Sequence, residues 1–102
     1  DTEQNKGNII IAIDCKVSPI NDTIELILIA TQNGVLVVDC KTIGVNTVCK
    51  TLEPYLTSQK YVKIMHDLHK NALIINRLGG VTLQNTLDTQ LVAEYVWGEM
   101  FL

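Results

Sequence analysis

Tyr61-Val-Lys-Ile-Met-His-Asp-Leu-His-Lys-Asn-Ala-Leu-Ile-Ile-Asn-Arg-Leu-Gly-Gly80 changes its hydrophobic period in the middle. Tyr61 to Met65 is a short apolar run interrupted only by Lys63, and it reads as a strand. From Leu68 the apolar residues Leu68, Ala72, Ile75 and Leu78 follow helical spacing, with Asp67 placed to cap the helix start and Gly79-Gly80 to close its end. The reading is a strand, a two-residue joint at His66-Asp67, and a helix that returns along the strand. A strand that feeds a helix is the building unit of a sheet with parallel connections.

Three strands precede this unit. Asn8 to Asp14 is a β-branched run apolar on both faces, which predicts a central strand covered on each side. Ser18, Pro19, Asn21 and Asp22 supply a turn, and Thr23 to Thr31 is a second strand. Asn33-Gly34 before Val35 to Val38 predicts a two-residue hairpin, so strands two and three pair antiparallel. Ile43, Val48, Leu52 and Leu56 mark a helix from about Gly44 to Leu56, weakened at its ends by Gly44 and Pro54. After Gly80, a short strand near Thr82 to Leu87 and the capping pair Asp88-Thr89 lead into a last helix to about Val96. The order β-β-β-α-β-α-β-α predicts an α/β domain whose mixed sheet is antiparallel at its start and parallel afterwards, with helices on its faces.

Composition sets the bounds. The chain has 102 residues, 47% hydrophobic and 19% charged, with a net charge of −3, which fits one folded domain with a short flexible start at residues 1–7. The longest apolar runs, Ile9 to Ile13 and Ile24 to Ala30, fall short of the ~18–20 residues of a membrane helix. Residues 1–8 are polar and lack a signal-peptide pattern. Cys15, Cys40 and Cys49 are odd in number and lack CxxC spacing, so reduced thiols in a cytoplasmic or nuclear protein are expected. The negative charge excludes a globally basic nucleic-acid binder and leaves room only for a local patch.

Three phrases together resemble the 3′-to-5′ exonuclease domain of the RNase D superfamily, which has an RNase H-like fold. They are Ile11-Ala-Ile-Asp-Cys15, Lys63-Ile-Met-His-Asp-Leu-His-Lys-Asn-Ala-Leu73, and Leu78 to Ala93 with its Asp88-Thr-Gln90. The branch they are most similar to contains Egalitarian and the exonuclease 3′-to-5′ domain-containing proteins, and the resemblance runs over about residues 8–96. It implies phosphodiester hydrolysis by two Mg²⁺ or Mn²⁺ ions about 3.5–4 Å apart, held by four carboxylates.

Residue by residue, the resemblance implies a degenerate site. Asp14 matches the first carboxylate, but Lys16 stands where the family has Glu, and side chains two apart on a strand share a face. Asn71 stands at the third carboxylate, and the fourth has no counterpart before Leu102, as in a fold truncated at its C-terminus. Lys16 is then expected as an internal cation in place of metal, partnered by Asp14, Asn71 and Asp67. Its alternative is a Lys16 that reaches into solvent beside a strand-end Asp14. No cofactor is expected to be bound.

Other groups have competing readings. His66, Asp67 and His69 are conceivable metal ligands but lack a further partner at suitable spacing, and His66 reads as a strand-end residue. Cys15 and Cys49 read as core thiols, and Asp88 as a helix cap. Lys16, Lys60, Lys63, His69, Lys70 and Arg77 form either one basic rim for phosphates or scattered solvated charges. Tyr95, Trp97, Met100 and Phe101 are dense apolar residues for a chain end and mark an interface, for a protein partner or a second copy, unless the chain is a piece of a longer one. The expected function is a catalytically inactive adaptor in an RNA-processing or RNA-silencing complex, with weak RNA affinity and no membrane. The alternative is a weakly active metal-dependent exoribonuclease.

Overall fold

A computed structural model describes residues 9–97. The expected flexible start and the interface candidates Met100 and Phe101 lie outside the described residues. The elements run β1 (Ile9–Val17), β2 (Ile24–Thr31), β3 (Gly34–Asp39), α1 (Cys40–Ile43), α2 (Val45–Leu56), β4 (Tyr61–Met65), α3 (Leu68–Gly79), β5 (Thr86–Asp88) and α4 (Thr89–Trp97). They form a five-stranded sheet in the order β3-β2-β1-β4-β5. β1 pairs antiparallel with β2 and parallel with β4, and β5 adds to β4 in parallel. The mixed α/β order expected from the sequence is therefore present, with one unforeseen helical turn, α1. Asp39 starts that turn, accepting from the Thr42 backbone N–H at 3.1 Å and from the Thr42 hydroxyl at 2.8 Å.

β1 alternates strictly, which corrects the expectation of a strand covered on each side. Ile11, Ile13 and Cys15 are buried, whereas Ile10, Ala12, Asp14 and Lys16 are exposed. The buried set joins Ile27, Met65, Val48, Cys49, Leu56, Ile74 and Ile75 in one core between the sheet and the pair α2–α3. The other face carries Ile10, Val35, Val37 and Leu87 exposed, and α4 buries no residue. β-Branching in β1 thus reflects strand propensity and not two-sided burial.

The hairpin is shifted by one residue from its expected position. Its turn residues are Gln32 and Asn33, with Thr31 opposite Gly34, and the positive φ falls on Gly34 at 144°. The Thr31 hydroxyl accepts from the Asn33 N–H at 3.1 Å, a local bond that holds the turn in this place. The strand expected from Thr82 shortens to Thr86–Asp88.

Helices α2 and α3 meet at Cys49 and Gly79. A Cβ on Gly79 would fall inside the van der Waals radii of the Cys49 side chain, so the glycine is required by close approach. Gly79→Ala is expected to cost about 1–3 kcal/mol by overpacking. Part of that loss should return in the double variant with Cys49→Ala, as read from urea denaturation midpoints. Independent, additive losses would show that the two helices do not meet there.

Candidate functional site

The site lies where β1 and β4 end on the open face. Cys15 points into the core, so the neighbouring positions Asp14 and Lys16 both project the other way. Their charged groups meet at 2.9 Å, as expected for Lys16, and both side chains are more than half exposed. A pair this exposed contributes only about 0–1 kcal/mol to stability. Its chemical effect is larger, because an ammonium cancels the charge of the carboxylate at the strand end.

Asn71, on the first turns of α3, is buried. Its Nδ2 donates to the His66 carbonyl at 2.9 Å and to the Asp67 carbonyl at 3.0 Å. The expected contact with Lys16 is thus replaced by two bonds to the backbone. A carboxylate here would place acceptor against two acceptors. Asp67 is in the left-handed region at φ 58° and its side chain makes no cap bond, which corrects its expected capping role.

Asp88 supplies the cap instead. Its Oδ2 accepts from the Leu68 N–H at 3.0 Å, at the start of α3, and its Oδ1 from the Gln90 N–H at 2.8 Å, at the start of α4. Burial pushes this carboxyl up, but hydrogen bonds from the backbone of Leu68, Gln90, Leu91 and Asp67 outweigh it and hold the group below the usual carboxylate range. The cap was legible from Asp88-Thr89 only for α4; its reach to Leu68 spans a sequence separation of 20 and has no local signal. Thr89 next to it shares a hydrogen bond of 3.2 Å with His66 Nδ1.

These residues surround a cavity of about 650 Å³ lined by Asp14, Lys16, His66, Asp67, Lys70, Asn71 and Thr89, over a floor that includes Ala12, Leu28 and Ile64. Its charged groups are two carboxylates and two ammoniums, so it carries no strong field of either sign. Four carboxylates around two divalent cations do not match this donor set. One of its two carboxylates is paired with an ammonium, and the buried amide turns its N–H groups to the backbone. Among the described residues no three His, Cys, Asp or Glu side chains are grouped to hold a metal ion.

The basic residues do not form one rim. Lys16 and Lys70 line the cavity. His69 is exposed on the first turn of α3, Arg77 lies in the last turn of that helix, and Lys60 precedes the opposite end of β4. Lys63, expected on the rim, is 0% exposed on the helix-covered face, opposite Ile11. Its Nζ donates to the Ser58 carbonyl at 2.7 Å and the Tyr61 carbonyl at 2.6 Å, and burial lowers its pKa. Sequence parity carries the signal for this: Lys63 lies two residues from both Tyr61 and Met65, so it shares their inward face. The thiols are core groups. Burial pushes Cys15 up to about 12 and Cys49 up to about 11, and it raises Cys40 as well. Tyr95 and Trp97 are exposed on α4, Tyr95 at 91%.

No protein-family model matches the sequence, and no curated protein matches it. Solved structures do. RNase D of Trypanosoma brucei superposes with a TM-score of 0.73 at 18% identity, over 87% of this chain and 33% of that one. The fold is shared with that enzyme. The catalytic core of RRP6 from Trypanosoma brucei gives a TM-score of 0.78 at 19% identity, over 88% of this chain and 25% of that one. The EXD2 exonuclease domain soaked in Mn and Mg gives 0.69 at 20% identity, over 84% and 45%. The chain therefore spans between a quarter and a half of the length of these structures.

Two outcomes test the site. Asp88→Asn should cost about 1–2 kcal/mol near neutral pH. Because the folded carboxyl is held below its unfolded value, that advantage is present above the ordinary carboxylate pKa and disappears as pH falls through the lowered one. Urea midpoints of both proteins should therefore converge in acid; a constant difference would refute the linkage. Asn71→Asp should cost about 1–3 kcal/mol at pH 7, and less in acid, where a protonated carboxyl donates to one of the two carbonyls. An unchanged midpoint at pH 7 would show that the amide bonds do not hold the turn.

Proposed function

We propose that this chain is a catalytically inactive exonuclease-like domain that acts as an adaptor, joining protein partners and holding RNA weakly through its backbone, in an RNA-processing or RNA-silencing assembly. The observation that carries this reading is the Asp14–Lys16 ion pair of 2.9 Å at the end of β1. The ammonium stands at the position where the resemblance implies a metal-binding carboxylate, and it offsets the charge that would attract a cation. Asn71, committed to the His66 and Asp67 carbonyls, supports the same reading. In this state the site needs no metal cofactor.

RNA affinity, on this reading, is slight and salt-sensitive. Lys16 and Lys70 are the ammoniums at the cavity, and Asp14 and Asp67 offset them. Protein contact falls to the exposed side chains of α4, Tyr95 and Trp97 among them, and to the open sheet face. A reduced intracellular setting, cytoplasmic or nuclear, accords with three free buried cysteines.

A second reading is favoured by one observation, that Asp14 and Asp67 both line the cavity of a fold shared with RNase D. It is a weakly active metal-dependent exoribonuclease that takes further carboxylates from elsewhere. The deciding assay follows labelled single-stranded RNA with Mn²⁺. The unmodified chain should leave its 3′ end intact, and calorimetric Mn²⁺ titration should show no tight site. Metal-dependent trimming that disappears in Asp14→Ala would establish the enzyme instead. Lys16→Glu combined with Asn71→Asp should strengthen Mn²⁺ binding by at least tenfold if these two residues are what closed the site to metal.

A further inference from the structure

We infer that β3 is a self-pairing edge, through which two copies of this chain join their sheets in antiparallel register about a two-fold axis at Leu36. The sheet order leaves two outer strands, and they differ in kind. β5 is three residues long and ends at the double cap of Asp88. That is the short, blunted edge that monomeric sheets use. β3 is six residues long, Gly34-Val-Leu-Val-Val-Asp39, and pairs with β2 without a register break. It carries no Lys, Pro or bulge, and its first charge is Asp39 at the exit. Val35, Leu36 and Val37 are 66%, 57% and 56% exposed.

The pairing with β2 determines which backbone groups are free. Thr31 and Gly34 flank the two-residue turn as a hydrogen-bonded pair, and the pattern alternates from there. Gly34, Leu36 and Val38 therefore bond to β2, and Val35 and Val37 turn their N–H and C=O outward. A second β3 run antiparallel with Leu36 opposite Leu36 sets Val35 of each copy against Val37 of the other. All four outward N–H groups then meet outward carbonyls. On the open face, valine packs on valine across the junction.

Charge selects this occupant. In the Leu36-centred register Asp39 of each copy faces Asn33 of the other, and the two Asp39 residues lie about 20 Å apart at the strand rise. That exceeds the ~8–10 Å screening length, so the two-fold brings no like charges together. The strand that fits this edge must be uncharged over five residues and apolar on both faces, and Gly34–Val38 is such a strand. The junction uses backbone and valines on the far side of β2 from the cavity. It gives the adaptor reading a surface but does not depend on the nuclease-like site being inert.

One strand pair covers less than the ~1,200 Å² of a standard interface, so association in the ~10–1,000 µM range is expected. Sedimentation velocity should show the mass rising from 11.3 kDa toward twice that value across this range. Val37→Pro removes an outward N–H and spares the β2 bonds, and Val35→Lys places charge on the edge. Each should hold the protein at monomer mass while its circular dichroism and urea midpoint stay near those of the parent. Amide exchange gives the second readout: protection should rise with concentration at Val35 and Val37 and stay unchanged at Leu36 and Val38. A monomer throughout, or a dimer whose Val35 and Val37 amides remain unprotected, would overturn the proposal. Neither result alters what RNA trimming or Mn²⁺ titration would report on the cavity.

Discussion

The two-residue period of β1 is the constraint on which the rest depends. Once Ile11, Ile13 and Cys15 are committed to the core under α2 and α3, Ala12, Asp14 and Lys16 have no choice of face. Core packing therefore sets the chemistry of the opposite surface. It brings an ammonium and a carboxylate to 2.9 Å at the end of a strand that two neighbours hold in register. A slip of one residue would bury both charges and expose three apolar side chains, a cost far beyond what the ion pair returns.

Much of this was legible in the sequence because it is local. The helix starts and ends, the antiparallel opening of the sheet and the shared face of Asp14 and Lys16 all follow from periods of 2 and 3.6 and from turn residues. What was not legible depends on partners distant in sequence. β1 reads as buried on both faces because Ile and Val report strand preference whether or not anything covers them. Asp67 looks like the cap of α3, yet the bond is made by Asp88, which the chain delivers through β5. Lys63 looks like a surface charge until its inward parity is counted beside Tyr61 and Met65.

Lys63 and Asn71 share a logic. Each is buried, and each spends its N–H groups on backbone carbonyls at the ends of β4: Ser58 and Tyr61 at one, His66 and Asp67 at the other. The turns that enter and leave this strand hold carbonyls with acceptor capacity to fill: Ser58 takes the Tyr61 N–H and Asp67 the Asn71 N–H, and each accepts a side-chain donor besides. Donor side chains meet that need and acceptor side chains cannot. The polar residue type at each position is thereby dictated by the strand ends before any ligand is considered.

The double cap at Asp88 has a mechanical meaning. Helix α4 buries none of its side chains, yet it begins on a carboxylate that also grips the first N–H of α3, and Thr89 beside it holds the His66 ring. One carboxylate therefore carries the starts of two helices, and the joint that walls the cavity is tied to both through it. Whatever displaces Asp88 loosens α3, α4 and that wall together.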